Sequence, residues 1–289
     1  MKKRILIPAL LLLVLLCGCA GTANTQTAAS GIVCTTQQLA DLTERVLDGT
    51  TAGESTPVAC VVTEPVSCLH DYTLSVRQMQ LLENAAVVIE SGMGLEDFME
   101  DALHASHCTR ITASAGVAAL PSDEDPDEPD PHLWLAPENC AQMAQTIADG
   151  LAELYPEDAA RLRENAADYA REMDELQAYG EQQLSSLSCR KLVTFHDGFS
   201  YFADAFGLEI AAAMEVEAGS EPSAKELEEI VQVVRENAIP AVFSETNGTQ
   251  DAAQLVARET GAGVFVLDMG LSNPDAIRNN IDTVKEALQ

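Results

Sequence analysis

Six short apolar, β-branched runs, at residues 32–36, 58–62, 86–90, 192–195, 241–244 and 263–267, are each followed by a segment readable as a helix. A strand that must return parallel to its neighbour needs such a crossover, so the alternation predicts an α/β chain with parallel sheets. Between the third and fourth runs the pattern changes. From Pro137, residues Cys140, Met143, Ala144, Ile147, Ala148 and Leu151 recur at helical spacing. A second helix is expected to start near Pro156 and run on to about Leu187, with Gly180 as its weak point. A helix of roughly 30 residues would extend about 45 Å, more than packing on one small sheet requires. It reads as a strut. The expected division is an N-terminal α/β lobe (32–155), a linking helix (156–188) and a C-terminal α/β lobe (189–289).

The start of the chain has another character. Lys2, Lys3 and Arg4 precede an apolar run from Ile5 to Leu16 that is short for a membrane span, which is the form of a secretory signal over residues 1–18. Gly18 before Cys19 fits a lipoprotein cleavage site, with Cys19 as the lipidated N-terminus, and the polar stretch 19–31 fits a flexible tether. Localisation is then outside the cytoplasm, anchored by lipid to a bacterial membrane. After removal of the signal the chain keeps 13 basic against 46 acidic residues, a net charge near −33. Such a surface repels phosphates and excludes nucleic acid as a partner.

Cys34, Cys60, Cys68, Cys108, Cys140 and Cys189 are available for disulfides in an oxidising compartment. A local Cys60–Cys68 bridge is the first to test, because it would brace the loop before His70. Residues 105–131 hold at most one short strand, near Thr109 to Thr112. The carboxylates and prolines of 122–131 then make an exposed acidic loop.

His196 follows one predicted strand and Asp268 another, at the carboxyl ends where open α/β sheets place their ligands. His70 follows a third strand by a short loop, and His132 follows the acidic loop. No two of the four share a helix turn, so a site built from them must be assembled by tertiary structure. Taken singly, each histidine reads as a hydrogen-bonded core or surface residue, and Asp268 as a helix cap. His104 and His107 read as part of the solvated acidic region.

Asp130-Pro131-His132-Leu133-Trp134-Leu135, Thr194-Phe195-His196-Asp197-Gly198-Phe199-Ser200-Tyr201-Phe202 and Pro222-Ser223-Ala224-Lys225-Glu226-Leu227 resemble segments of the zinc and manganese substrate-binding proteins of ABC transporters. His70-Asp71-Tyr72, Gly92 to Phe98, Val242-Phe243-Ser244-Glu245 and Leu267-Asp268 extend the match in the family's order over nearly all the chain from Ile32. The resemblance implies two α/β lobes joined by one long helix, with metal in the cleft between them. It places the ligands at His70, His132, His196 and Asp268, with Glu245 as a partner behind an imidazole. Three imidazoles and a carboxylate suit tetrahedral Zn²⁺ better than Mn²⁺ or Fe²⁺. In manganese-selective members the position of His196 is typically glutamate. The implied partner is an ABC permease, served by a monomer. Cys68-Leu69 stands where the family usually has Asp-Pro, and Met269 where it usually has proline.

A manganese or iron carrier is the neighbouring alternative. A secreted zinc hydrolase is the alternative from another class, because three histidines can also hold a catalytic zinc. His-Glu-x-x-His is absent from the sequence, however, and Asp268 would fill the fourth position.

Overall fold

The computed structural model describes residues 31–64, 69, 72–122, 127–214 and 223–289. The expected signal and nearly all of the tether, including Cys19, lie outside these residues, as do Cys68, His70 and positions 123–126 of the acidic loop.

The first lobe runs β1 (Ile32–Thr36), α1 (Gln37–Leu47), α2 (Thr51–Ser55), β2 (Val58–Val62), α3 (Val76–Glu83), β3 (Val87–Glu90), α4 (Glu100–Ala105) and β4 (Thr109–Thr112). Its strands form an all-parallel sheet in the order β2-β1-β3-β4, with Ile32 paired to both Val58 and Val87. Local chemistry sets the helix starts. Thr36 caps α1 through the Leu39 amide, and Ser75 with Gln78 closes a reciprocal capping box on α3.

Helices α5 (Pro137–Leu154) and α6 (Ala159–Leu184) follow. α5 begins on a proline, whose missing N–H costs nothing in a first turn. α6 has 26 residues and links the lobes. It starts three residues later than Pro156, with Asp158 as its N-cap residue, and the Asp158 carboxylate serves α2 instead, accepting the Thr51 and Ala52 amides at 3.0 and 2.8 Å. Those two bonds hold the Asp158 carboxyl below the usual carboxylate range. Gly180 is no weak point. A Cβ there would collide with the Phe206 ring and meet Ile281, so the glycine lets the second lobe pack closely against the strut.

The second lobe runs β5 (Lys191–Thr194), α7 (Ser200–Ala205), β6 (Glu209–Ala213), α8 (Ala224–Glu236), β7 (Ala241–Glu245), α9 (Asp251–Thr260), β8 (Gly263–Leu267) and α10 (Ala276–Leu288). Its parallel sheet repeats the first in plan, in the order β6-β5-β7-β8. Strand β6 was not among the expected runs. Its sequence, Glu-Ile-Ala-Ala-Ala, has low β-propensity and is recruited by pairing along β5.

One apolar core passes through α1, α5, α6, α7 and α10 and so spans both lobes. Leu133, Trp134 and Leu135 are all buried in it. A second core lies on the α8 and α9 side of the C-terminal sheet. No helix among the described residues is long and apolar enough to cross a membrane.

Candidate metal centre

In both sheets the chain order reverses beside the first strand of the lobe, between β1 and β3 and between β5 and β7. Open parallel sheets bind ligands in the crevice at that reversal, outside the carboxyl ends of the strands. His196 lies two residues beyond β5, and Glu245 is the last residue of β7. They flank the second lobe's crevice, and each is 4 % exposed. Asp268 comes directly after β8, the next strand along.

His132 arrives differently. It is carried on the turn that closes the acidic loop and opens the buried segment 133–135. Asp130 holds it twice: Oδ1 accepts the His132 backbone amide at 2.8 Å and faces Nδ1 at 2.9 Å. A carboxylate can only accept, so Nδ1 carries the hydrogen, which in the neutral ring leaves the Nε2 lone pair free for a metal. That Nε2 lies 3.4 Å from His196 Nε2, with the rings edge to face at 82°. The carboxylate's other oxygen, Oδ2, is buried without a hydrogen-bond partner among the described residues.

Close packing also confines the Cδ2–Nε2 edge of His196, the edge that faces His132. A Cβ on Gly198 would stand 2.8 Å from its Cδ2, 3.1 Å from its Nε2 and 2.5 Å from Met269 Cε. A side chain at 198 would press on the imidazole and on Met269 together.

Hydrogen bonds also tie the lobes together. Trp134 Nε1 donates to the Met269 carbonyl at 2.7 Å, and the Gln38 amide donates to the Leu271 carbonyl at 3.0 Å. Tyr201, on α7, donates to the Asp130 carbonyl at 3.1 Å.

The expected residues are not all gathered. The structure brings His132 and His196 together. Asp268 stays with its own lobe: its oxygens accept from the Gly270 amide and Asn273 Nδ2, both at 2.8 Å, and Asn280 clamps its backbone. His70 lies outside the described residues, but its flanks are held. Leu69 is buried, the Tyr72 amide donates to the Leu69 carbonyl at 3.0 Å, and the Tyr72 hydroxyl bonds Glu64 and Gln78. Among the described residues, no group of three or more His, Cys, Asp or Glu side chains stands ready to hold a metal. His104 is exposed and engages Glu100 at 3.0 Å, one helical turn away.

Cys34, Cys60 and Cys140 offer no ready ligand. Burial pushes the Cys34 and Cys140 thiols up to about 12 and Cys60 to about 11, so none is a thiolate at neutral pH. Cys60 Sγ sits 3.0 Å from the Val62 carbonyl, and its suggested partner Cys68 is outside the described residues.

Two residues were missed by the sequence reading. Asp130 was noticed only as part of a motif, although an acid two residues before a candidate histidine is itself a signal for an orienting partner. Glu96 likewise stood only within the Gly92 to Phe98 match. It is buried in the first lobe, accepting from Thr35 Oγ1 and the Ser91 amide at 2.7 Å and from the Gly92 amide at 2.8 Å.

Two parallel-sheet lobes on one long helix, tied beside a pair of facing imidazoles, define the architecture of a metal-binding protein that serves an ABC importer. The chain belongs to the family of the periplasmic zinc-uptake complex component A, ZnuA, whose model matches residues 32–287. It is a binding protein and not an enzyme, which removes the hydrolase alternative. The chain is 30% identical over 215 residues to the iron-binding protein YfeA of Yersinia pestis, covering 72% of this chain and 69% of that one. It is 27% identical to the manganese-binding lipoprotein MntA of Halalkalibacterium halodurans, covering 100% and 99%. A crystal structure of a zinc-bound ZnuA deletion mutant superposes with a TM-score of 0.80 at 28% identity, covering 90% of this chain and 98% of that one.

Proposed function

We propose that this protein captures Zn²⁺ outside the cytoplasm and hands it to an ABC permease, with His70, His132, His196 and Asp268 as ligands and Glu245 behind one of the imidazoles. The observation that carries the reading is the approach of His132 Nε2 to His196 Nε2, 3.4 Å across the seam, with Asp130 fixing the tautomer on one side. Two nitrogens aimed at one point from different lobes make metal and lobe closure a single event. Asp268, partly exposed and next to the Met269 carbonyl that Trp134 grips, is near enough in sequence to that seam to join when metal enters. Histidine at position 196 supports zinc. The relatives named for iron and manganese support the neighbouring reading, a carrier of Mn²⁺ or Fe²⁺. Lipidation at Cys19 after removal of residues 1–18, and a monomer on the membrane surface, complete the proposal.

The test is to purify the protein from residue 19 onward with Cys19→Ser, identify its metal by elemental analysis and titrate Zn²⁺, Mn²⁺ and Fe²⁺ against a chelator. Saturable tight binding with zinc preferred is expected. Absence of such a site in the unsubstituted ligand set, or unchanged affinity in both His132→Ala and His196→Ala, would sink the proposal.

A further inference from the structure

The two ends of the acidic loop meet as a short antiparallel neck. The Asp130 amide donates to the Leu120 carbonyl at 2.8 Å, the Ser122 amide donates to the Glu128 carbonyl at 2.9 Å, and Pro121 bridges Pro129. In an antiparallel pair the bond from Asp130 to Leu120 should be answered by one from the Leu120 amide to the Asp130 carbonyl. Here the answering bond is interrupted. The Tyr201 hydroxyl, from the other lobe, accepts the Leu120 amide at 3.0 Å and donates to the Asp130 carbonyl at 3.1 Å. Met93 Sδ lies 3.7 Å from the same oxygen. Tyr201 is 4 % exposed, and burial pushes its phenol up, so it remains a donor at any physiological pH.

The position of this hydroxyl has a mechanical consequence. Tyr201 sits on α7, five residues after His196, while Asp130 holds both the amide and the ring of His132. One oxygen therefore connects the backbone that follows His196 to the residue that aims His132. When the lobes stand together the neck includes Tyr201. When they part, Leu120 and Asp130 can close their own rung, and the Asp130 backbone must move to do so.

We propose that Tyr201 is a positioning residue of the metal site, a wedge in the neck of the acidic loop that lets the second lobe set the orientation of His132 through Asp130. Separation of the lobes then does more than withdraw His196. It also lets Asp130 shift, so His132 loses its aim and release is coupled to opening from both sides. The inference rests on the reading of His132 and His196 as metal-binding residues.

Tyr201→Phe keeps the ring and deletes the wedge. With Zn²⁺ and a competing chelator, its zinc dissociation rate should rise about ten-fold, the lower end for loss of an outer partner of a ligand, with little change in association. With Co²⁺ as probe, the visible absorption bands should shift, which a loss of stability alone would not produce. In the unsubstituted protein, the Leu120 amide proton resonance should shift on zinc loading, because its acceptor changes from the Asp130 carbonyl to the Tyr201 hydroxyl. An unchanged dissociation rate and Co²⁺ spectrum in Tyr201→Phe would overturn the proposal. If that variant does not fold, a Leu120 amide resonance that is the same with and without zinc in the unsubstituted protein overturns it instead. Absence of tight zinc binding in the unsubstituted protein overturns the functional reading itself, and this one with it.

Discussion

Trp134 Nε1 donates a 2.7 Å hydrogen bond to the carbonyl of Met269, joining the residue two after His132 to the residue directly after Asp268. The chain has one tryptophan, and it stands on this seam, 3 % exposed. Its emission is therefore a reporter of how the lobes meet. Zinc titration should change the intensity or wavelength of Trp134 fluorescence and saturate at one metal per chain. Trp134→Phe should weaken zinc affinity by about three- to ten-fold, the value of one buried hydrogen bond, read by chelator competition.

Asp130 should matter to affinity although it is not a proposed ligand. Asp130→Asn can keep Oδ1 as the acceptor for both His132 bonds but removes the charge that fixes Nδ1–H, so a loss of about 10- to 100-fold in zinc affinity is expected. His132→Ala should lose at least as much. Because protons compete for the same ring nitrogens, the affinity of the unsubstituted protein should fall as pH is lowered. An affinity independent of pH from 8 down to about 5 would contradict imidazole ligation.

Gly198→Ala tests the packing against the Cδ2–Nε2 edge of His196. The added methyl must displace either the imidazole or Met269, and both border the site. Zinc affinity should fall while the thermal midpoint of the metal-free protein changes little. A midpoint lowered by several degrees with affinity unchanged would show that Met269 yields and His196 does not.

How much of this was legible in the sequence depended on whether a residue's surroundings are local. The strands at 32–36 and 58–62 could be read because β-branched runs report their own burial, and the strut could be read from its spacing. Strand β6 could not, since three alanines become a strand only by lying along β5. Gly180 appeared as a weakness because the Phe206 ring that occupies the space beside it is distant in sequence. At the site, His132 and His196 were legible through their motifs. The hydrogen bonds that the Asp268 carboxylate accepts from Gly270 and Asn273 were not, since they depend on the turn after β8. Tyr201 was quoted in a motif, but nothing in the sequence says that its hydroxyl reaches Leu120 and Asp130 in the other lobe.

Glu96 gives the last prediction, one about the metal-free protein. Its carboxyl is buried, and burial, with some repulsion from Glu90, outweighs the bonds from Thr35, Ser91 and Gly92, raising it from 4.5 to about 7. Those bonds hold the turn after β3, where Gly92, Met93 and Gly94 all have positive φ and Met93 reaches Tyr201. Below about pH 4.5 the group is protonated in both folded and unfolded chains and imposes no charge penalty. Between about 4.5 and 7 the folded protein holds a proton that the unfolded chain has released, so this contribution to stability declines as pH rises through that window. Above it the full penalty remains, on the order of 3 kcal/mol. Glu96→Gln removes the titration while turning an amide donor toward the Gly92 N–H, so its offset at any one pH is a mixture of two effects. The slope isolates the charge. Urea unfolding of both proteins from pH 4.5 to 7.5 should show the unsubstituted protein losing ground to Glu96→Gln as pH rises, and a difference that stays flat would mean that Glu96 is ionised throughout.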